Sequence, residues 1–326
     1  MKNLSDSDLE NFKKFIENHK AFVICGHKEP DGDCIASSLG LAKILDFYKK
    51  PYQILNAGPF KRTETKKYEK FFKNQFVRQT NNIDDTGLFI VDCSDSFRLG
   101  DMESQVAHLD TFIIDHHKTS TNSSDNSIID PTSPAAACLV QQLFEKTVGK
   151  LDSETASILF FGLSTDTGFF KFLDDKSAEV FILASKLVEA GANPRQTYDA
   201  ISSGKPFSTR KLLGATLNHT ESYFDGKLII SYETMADTHA LGAEGRDSDA
   251  LYSLLLAVEN VEAVVFVRQE TDKTCTLGFR SRDEVDVSEI ATVFGGGGHK
   301  NASGACTSGT IETLIPKIKQ EFAKIF

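Results

Sequence analysis

Short apolar runs in the first half of the chain alternate with segments of helical periodicity, and this alternation most constrains the fold. AFVIC (21–25), GLFIVD (87–92) and TFIID (111–115) have the length and continuous apolarity of strands buried on both faces, and YQILN (52–56) is also strand-like. The segment at 35–50, IASSLGLAKILDFYKK, repeats its apolar residues at helical spacing. Buried strands that alternate with helices predict a parallel sheet flanked by helices, as in α/β domains.

Further helices are predicted from capping residues and apolar periodicity. The candidates are SPAAACLVQQLFEKTV, SETASILFFGLSTD and the segments at 177–192 and 194–204. Ser133 and Ser153 are the expected N-caps of the first two, because serine hydroxyls accept hydrogen bonds from free N–H groups at helix starts. Ser5 or Ser7 is expected to cap a helix at the N-terminus in the same way.

The pattern changes near residue 210. KPFSTRKLLGATLN (205–218) predicts a helical connector, and SYFDGKLIISYE contains an Asp-Gly turn signal. VEAVVFVRQETDKTCTLGFRSR predicts two strands joined by a polar turn, and a glycine-rich loop and an amphipathic helix follow. We therefore expect a first domain at 1–204, a helical linker at 205–218 and a smaller α/β domain at 219–326.

Composition narrows the classes of function. The net charge of −10 argues against a protein that coats long nucleic acid, because such binding depends on many Lys and Arg contacts to phosphate. No apolar run approaches the ~20 residues of a membrane-spanning helix, and the polar N-terminus does not resemble a secretory signal. The six cysteines form no CxxC pair, which favours reduced, buried thiols and a cytoplasmic location.

Metal-binding side chains follow the predicted strands. In open α/β sheets, ligands bind beyond the carboxyl ends of the strands, so these side chains are expected to meet at one edge. A single Asp in such a place is more often a helix cap or a turn residue, and the prediction therefore rests on the whole set. The set comprises His27, Asp31 and Asp33 after the first strand, Asp92 after the third, Asp115, His116 and His117 at the fourth, and Asp166 near a helix end.

This set of side chains predicts a site for divalent metal ions. Several buried carboxylates repel one another, and cations remove that cost. Carboxylates favour Mg²⁺, Ca²⁺ and Mn²⁺, while imidazole moves the preference towards transition metals, so the mixture suits Mn²⁺ best. There are enough ligands for two ions, which together activate a water and hold a phosphoryl oxygen. The residues alone thus indicate phosphoester hydrolysis.

The motifs also resemble a known family. GHKEPDGDCIASSLG, VDCSDSFRLG, IIDHHKTS and GLSTDTGFFKF are similar, in this order, to the four motifs of the DHH phosphoesterases. FRSRDEVDVSEIATVFGGGGHKNASGA resembles the signature of the DHHA1 domain. The pair looks like the NrnA-type oligoribonucleases and 3′,5′-bisphosphate (pAp) phosphatases and the related cyclic-dinucleotide phosphodiesterases. The resemblance implies a Rossmann-like parallel sheet in the first domain and an active site in a cleft between the two domains.

Carried over by position, the resemblance implies two Mn²⁺ ions per subunit, for which Mg²⁺ or Co²⁺ could substitute. A hydroxide between the ions would be the nucleophile, and Asp92 would bridge them. His117 would bind the scissile phosphate or protonate the leaving oxygen, and Asp115 would orient the histidine pair. The implied ligands are His27, Asp31 and Asp92 for one ion, and Asp33, Asp92, His116 and Asp166 for the other.

Substrate contacts are expected mainly in the second domain. Glycines at 295–298 let backbone N–H groups approach an anion, which favours substrate binding over the alternative of a simple tight turn. Arg282 could instead pair with Asp283 or Glu284 on the surface, and Arg98 with Asp95. The candidate substrate-binding residues are Arg98, Arg280, Arg282, Gly297, Gly298, His299, Asn301 and Ser303.

The resemblance leaves several activities open. The leading one is hydrolysis of short oligoribonucleotides such as pApA or pGpG to 5′-mononucleotides, together with pAp phosphatase activity. A cyclic-di-AMP or cyclic-di-GMP phosphodiesterase would use the same chemistry, and an inactive nucleotide-binding protein would have lost a ligand. A DHH-type pyrophosphatase is disfavoured by GGGGHKNASG. Relatives suggest a homodimer, and the basic stretch at 56–67 is either a phosphate contact or a solvated loop.

Overall fold

The chain divides into two compact units, Met1–Gly204 and Lys205–Phe326. The structure, a computed structural model, describes residues 3–80, 82–117, 125–242, 246–282 and 284–326. Asp283, one of the surface partners considered for Arg282, lies outside these residues. Within them, no helix is both long and apolar enough to cross a membrane.

A parallel sheet forms the centre of the first unit. Its strands run in the order β2-β1-β3-β4-β5, and every neighbouring pair is parallel. The predicted parallel sheet is thus confirmed, and β5 is a short edge strand that the apolar pattern did not reveal. The strands are β1 (Ala21–Gly26), β2 (Tyr52–Leu55), β3 (Thr86–Val91), β4 (Asp110–Asp115) and β5 (Ser127–Ile129).

Helices cover this sheet and supply most of its core. The aromatic rings of Phe12, Phe22, Phe89 and Phe112 are fully buried in one contiguous cluster between helix and sheet. The helices are α1 (Asp6–Asn18), α2 (Gly32–Phe47), α3 (Glu103–Val106), α4 (Ala136–Thr147), α5 (Ser153–Asp166), α6 (Ala178–Glu189) and α7 (Pro194–Ser202). Single 3₁₀ turns lie at Lys66–Phe71, Ile83–Asp85 and Ser96–Met102.

Two of the predicted helix caps are wrong. Helix α5 is capped by Asp152, whose carboxylate accepts the N–H of Glu154 at 3.0 Å, so Ser153 is the first helical residue and not the cap. Helix α4 starts after Ala135, and the Ser133 hydroxyl instead donates to the carbonyl of Ala135 at 2.9 Å. The free N–H groups at the start of α4 are therefore capped by a residue from elsewhere in the chain.

The second unit is a mixed sheet with helices, in strand order β10-β11-β9-β8-β7-β6. Only β7 and β8 pair in parallel, and the predicted hairpin corresponds to β8 and β9. Its core includes Phe279, Leu314 and Phe322. The elements are α8 (Phe207–Asn218), β6 (Glu221–Tyr223), β7 (Leu228–Glu233), α9 (Met235–Leu241), α10 (Ser248–Leu256), β8 (Ala263–Thr271), β9 (Thr274–Ser281), α11 (Val287–Val293), β10 (Gly297–His299), β11 (Ala302–Ser308) and α12 (Ile311–Phe322).

The cysteines differ from expectation at one position. Five are buried and free, but Cys306 on β11 is an exposed free thiol. Along β11 the side chains alternate between buried and exposed, because successive residues of a strand face opposite sides of the sheet. The apolar sequence around Cys306 is too short to reveal on which face the thiol lies.

Candidate metal centre

Three parallel strands end beside one another and bring the predicted ligands together. Strand β1 ends at Gly26 and is followed by His27, while β3 ends at Val91 and is followed by Asp92. Strand β4 ends at Asp115, and His116 comes next. Because β1, β3 and β4 are neighbours and parallel, all these side chains lie at the carboxyl edge of the sheet.

Asp92 stands between two groups of ligand atoms. Its Oδ2 is 3.4 Å from Nε2 of His27, which is also 3.8 Å from Oδ1 of Asp31. Its Oδ1 is 3.3 Å from Nε2 of His116. That same imidazole nitrogen lies 3.2 Å from Asp166 and 3.7 Å from Asp33. The structure thus brings together the residues that the resemblance assigned to each ion, with Asp92 common to both groups.

Hydrogen bonds to backbone carbonyls fix the tautomers of the two histidines. Nδ1 of His27 is 2.9 Å from the carbonyl oxygen of Lys28, and Nδ1 of His116 is 3.2 Å from that of Ser133. A carbonyl only accepts, so each Nδ1 donates a proton and each Nε2 presents a lone pair in the neutral ring. Both lone pairs face carboxylate oxygens. A cation, either a proton or a metal ion, must therefore lie between them.

The pKa values of the histidines show how strongly this edge attracts a cation. Burial alone would lower the pKa of His27, but hydrogen bonds to Asp31 and Asp92 outweigh it and raise the pKa to about 10. Burial likewise opposes the charge on His116, yet Asp166 and Asp92 raise its pKa to about 12. Without metal, protons take the positions that metal ions would occupy.

The pKa values of the carboxylates show that negative charge is crowded at this edge of the sheet. Complete burial, with the charges of Asp92 and Asp166 nearby, raises the pKa of Asp33 well above its usual range. Burial also raises the pKa of Asp166, although His116 counteracts it. Burial opposes the charge of Asp31 too, but hydrogen bonds from His27 and the backbone of Cys34 hold its pKa below the usual range. A divalent cation would relieve this repulsion.

The Asp92 side chain supports a metal site independently of the pKa values. Its Oδ1 is buried and accepts no hydrogen bond, which is costly for an acceptor unless a cation approaches it. The backbone of Asp92 has φ of 58°, a left-handed conformation that aspartate tolerates better than most residues. A buried oxygen without a donor, held among imidazole nitrogens and carboxylates, fits a divalent ion of the Mn²⁺ type.

The nearest partner of the His117 ring is Asp115, and Oδ1 of Asp92 is farther away, at 3.8 Å from Nδ1. Nδ1 of His117 is 2.7 Å from Oδ1 of Asp115, and the same oxygen accepts the backbone N–H of His116 at 2.8 Å. Burial would raise the pKa of Asp115, but the His117 contact lowers it below its usual range. The Asp115 carboxylate thus fixes the turn that carries both histidines. About a third of the His117 side chain is exposed, so its Nε2 can reach a substrate.

Glycines allow the helices that carry ligands to approach closely. A Cβ on Gly162 of α5 would lie 2.5 Å from Cβ of Ala36 on α2, and one on Gly32 would lie 2.2 Å from Oγ1 of Thr165. Neither distance leaves room for a side chain. Asp33 on α2 and Asp166 on α5 therefore reach the same imidazole because these glycines have no side chains.

Sequence reasoning missed one further donor. Sγ of Cys34 lies within 4.8 Å of ligand atoms of His27 and Asp92, and the side chain is fully buried. The resemblance assigned no role to this position, and the sulfur's direction depends on the start of α2, where Asp31 is the N-cap. The placement of the thiol follows from that cap.

Several of the candidate substrate-binding residues of the second unit make contacts within that unit. Gly297 and Gly298 lie in the edge strand β10, paired with Gly304 and Ser303, and not in an open loop. The Ser303 hydroxyl donates to the carbonyl of His299 at 2.8 Å. The Asn301 amide donates to the carbonyl of Arg282 at 2.8 Å. Among these side chains, the imidazole of His299 is exposed and makes no hydrogen bond to the described residues.

The three candidate arginines differ in the contacts that their guanidinium groups make. The Arg280 guanidinium lies 4.6 Å from the ring centroid of Tyr252, and that of Arg282 donates to the carbonyl of Leu256. Arg98 lies in the 3₁₀ turn after Asp92, and its guanidinium makes no ion pair within the described parts of the chain. The ion pair with Asp95, the alternative to a substrate contact, is not formed there. Of the three, Arg98 is the one whose guanidinium makes neither a hydrogen bond nor an ion pair with the described residues.

Family comparison agrees with this geometry. Residues 21–163 match the model of the DHH family N-terminal domain, and residues 225–326 match that of the DHHA1 domain. The chain carries a DHH family N-terminal domain and a DHHA1 domain. The predicted fold, a parallel DHH sheet followed by a DHHA1 domain, and the predicted phosphoesterase class are thereby confirmed. The metal ligands and substrate contacts remain proposals.

Individual relatives of this DHH chain have several activities. A bifunctional oligoribonuclease and PAP phosphatase NrnA of Thermus thermophilus is 28% identical over 309 residues, covering 92% of this chain and 90% of its own. A cyclic-di-AMP phosphodiesterase PdeA of Listeria monocytogenes is 27% identical, covering 96% of this chain but 48% of its own. An exopolyphosphatase-related protein from Bacteroides fragilis has the same fold, with a TM-score of 0.83, 24% identity, and coverage of 99% of this chain and 98% of its own.

Proposed function

We propose that this protein is a Mn²⁺-dependent phosphodiesterase that hydrolyses short linear oligoribonucleotides to 5′-mononucleotides and removes the 3′-phosphate of pAp. The observation that carries the proposal is Asp92, whose two oxygens lie 3.4 Å and 3.3 Å from the Nε2 atoms of His27 and His116. A carboxylate shared by two ligand groups is the arrangement that a two-metal phosphoesterase requires.

The residues that would hold the ions are those already brought together at the sheet edge. They are His27, Asp31 and Asp92 on one side, and Asp33, Asp92, His116 and Asp166 on the other. Two divalent ions bound there supply a nucleophilic water at neutral pH and neutralise charge on the phosphoryl oxygens. Mg²⁺ or Co²⁺ could substitute for Mn²⁺, since the donors are oxygen and imidazole nitrogen.

His117 and Asp115 have a different role from the ligands. The carboxylate of Asp115 holds Nδ1 of His117 at 2.7 Å and leaves its Nε2 facing outward. In this position the imidazole donates a hydrogen bond to the scissile phosphate or a proton to the leaving oxygen. Asp115 therefore acts by holding the His117 ring in one orientation through its contact with Nδ1.

Arg98 and the second unit are proposed to bind the rest of the substrate. Arg98 follows Asp92 in the chain, and its unpaired guanidinium suits a phosphate oxygen. In the second unit His299 has the most available side chain, and β10 is an edge strand whose backbone can still bind a ligand. The surface around Gly297 and Gly298 would then be shaped by four further side chains, those of Arg280, Arg282, Asn301 and Ser303.

Cyclic-di-AMP hydrolysis is the second candidate activity. The specific observation that favours it is the match to a cyclic-di-AMP phosphodiesterase over 96% of this chain. The chemistry at the phosphorus is the same, so the metal centre does not distinguish the two. The match to the NrnA enzyme, which covers 90% of that protein, favours the linear substrate.

A time course of products tests the proposal. Mn²⁺-loaded protein is given, in separate reactions, pApA, pGpG, pAp, cyclic di-AMP and a longer oligoribonucleotide, and the products are separated by chromatography. We expect fast conversion of the linear dinucleotides to mononucleotides, slower conversion of pAp and little opening of the cyclic substrate. His116→Ala should remove all activity, whereas Asp174→Asn, on an exposed loop, should not. Faster opening of the cyclic substrate would favour the second candidate, and an active His116→Ala variant would exclude the metal mechanism.

A further inference from the structure

A strongly charged surface lies beside the metal centre on residues 56–73, which we name the basic segment. It carries six cations and two acidic residues in a chain whose net charge is −10. Lys61 pairs with Glu29 at 2.7 Å, but the other cations are exposed and make no ion pair with any described residue. These unpaired cations are Arg62, Lys66, Lys67, Lys70 and Lys73.

Backbone contacts attach this segment to the sheet edge that carries the metal ligands. The N–H of Asn56 donates to the carbonyl of Lys73 at 3.0 Å, so both ends of the segment meet at the carboxyl end of β2. The Asn56 amide also donates to the carbonyl of His27 at 3.0 Å. The N–H of Glu29 donates to the carbonyl of Gly58 at 2.9 Å. The segment therefore packs directly on the loop of the ligands His27 and Asp31.

The 3₁₀ turn Lys66–Phe71 arranges cations beside aromatic rings. Residues three apart share a face of a 3₁₀ helix, so Lys67 aligns with Lys70, and Tyr68 with Phe71. Nζ of Lys67 is 4.9 Å from the Tyr68 ring centroid, and Nζ of Lys70 is 5.1 Å from that of Phe71. The Phe71 side chain is 50% exposed, so part of its ring surface is open to a ligand.

Exposed aromatic rings beside unpaired lysines are the features of surfaces that bind single-stranded nucleic acid. The lysines meet phosphates and the ring stacks on a base, whatever the sequence. An acidic peptide would satisfy the lysines but would leave the exposed Phe71 ring without a flat partner. We propose that the basic segment binds the part of a single-stranded RNA that extends beyond the nucleotides held at the metal centre. The inference rests on the proposed function in taking RNA as the substrate.

Fluorescence anisotropy tests this surface without catalysis. The probe is a 5′-fluorescein-labelled heptaadenylate, titrated in EDTA with wild-type protein and variants at several salt concentrations. We expect the double substitution Lys67→Ala and Lys70→Ala to weaken binding about fivefold or more. It should also lower the slope of log affinity against log salt by about 1.4, since each phosphate contact on a single strand contributes about 0.7. Phe71→Ala should weaken binding about fivefold or more, with little change in the slope.

A matched variant and a competitor complete the test. Lys13→Ala with Lys14→Ala removes the same charge from α1, outside the basic segment, and should bind the probe like wild type. If the two double variants bind equally, or if Phe71→Ala has no effect, the inference is wrong. If polyglutamate competes as strongly as unlabelled RNA, the partner of the basic segment is an acidic protein and not RNA. Failure of the proposed function is seen separately, as an absence of pApA hydrolysis while the probe still binds.

Discussion

The carboxylate of Asp33 on α2 accepts a hydrogen bond of 2.6 Å from the backbone N–H of Ala136, the first residue of α4. The N–H of Ala137 donates to the other oxygen at 2.8 Å. A side chain more than a hundred residues away thus does what the N-cap of a helix normally does. The same two hydrogen bonds therefore cap α4 and hold a candidate metal ligand in place.

Ala136→Pro should therefore destabilise the protein. Proline is usually favourable at the first position of a helix, because the N–H it lacks has no partner within the helix. Here that N–H donates to the buried Asp33, so we expect a loss of about 1–3 kcal/mol in the free energy of unfolding by urea. Ser153→Pro, at the first position of α5, is the control and should be nearly neutral, because Asp152 there binds the next two N–H groups. Equal losses in both variants would contradict the role given to Asp33.

Metal ions should stabilise the folded protein through Asp92. Binding to the folded state alone adds about 2.7 kcal/mol at a metal concentration 100 times Kd, which appears as a rise in Tm by scanning calorimetry. Asp92→Asn should remove most of the rise seen with Mn²⁺ after EDTA treatment, because its two oxygens serve both ligand groups. Asp174→Asn should keep the full rise. If Mn²⁺ does not change the Tm of the wild-type protein, the metal centre is ruled out.

The two adjacent histidines should separate metal binding from catalysis. His116→Ala should lose the Mn²⁺-dependent rise in Tm, whereas His117→Ala should retain it and lose about 10²–10⁴-fold in kcat. Asp115→Asn should also retain the rise and lose less activity than His117→Ala, since an amide oxygen can still accept from Nδ1. If His117→Ala abolished the rise in Tm, the imidazole would be a ligand and not the proton donor.

Gly162→Ala should disturb the packing of α2, α4 and α5. Its new Cβ would lie 2.5 Å from Cβ of Ala36 and 2.9 Å from Cβ of Ala137, neither of which can turn away. We expect a loss of about 1–3 kcal/mol in unfolding free energy. Gly214→Ala on α8 is the matched control, because a Cβ there meets nothing within 4 Å and alanine favours helices by about 1 kcal/mol. A stabilised Gly162→Ala protein would show that the helices can separate easily.

Stability at low pH should depend on Asp247 in the second unit. Burial would raise the pKa of Asp247, but its contact with Lys205 at 2.8 Å lowers it below the usual range. A carboxyl with a lowered pKa stabilises the folded state above its unfolded pKa of about 3.9, and the effect is lost as pH falls through the folded value. Asp247→Asn should therefore cost more stability at pH 6 than at pH 3 in urea titrations. Asp272→Asn, in an exposed turn, should follow the wild-type curve.

The parallel sheet and the clustering of the candidate ligands could be predicted because both depend on local patterns. Continuous apolar runs identify buried strands, and parallel strands bring their carboxyl ends to one edge, which is where His27, Asp92 and His116 lie. The start of α4 could not be predicted in this way. Its capping partner, Asp33, is distant in sequence, and a nearby serine satisfies the usual capping rule without being the cap.

The glycine-rich stretch shows a second limit of sequence patterns. Glycine permits both an open anion-binding loop and close pairing of strands, and the sequence does not distinguish these uses. In the structure a Cβ on Gly298 would lie 2.6 Å from the carbonyl oxygen of Ala302, so the glycine is needed for pairing with β11. The hydroxyl of Ser303 likewise binds the carbonyl of His299, within the same hairpin. These roles depend on the partner strand.

The close approach of α2 and α5 at Gly32 and Gly162 has a consequence for ion selection. Gly32 packs against the side chain of Thr165, and Gly162 packs against that of Ala36, so these contacts set the separation of the two helices that carry Asp33 and Asp166. Mg²⁺ requires oxygens at about 2.0–2.1 Å, and Ca²⁺ about 2.3–2.6 Å. To accept the larger ion, the helices themselves would have to move apart. If the proposed metal centre is correct, the packing at these two glycines would favour an ion of small radius.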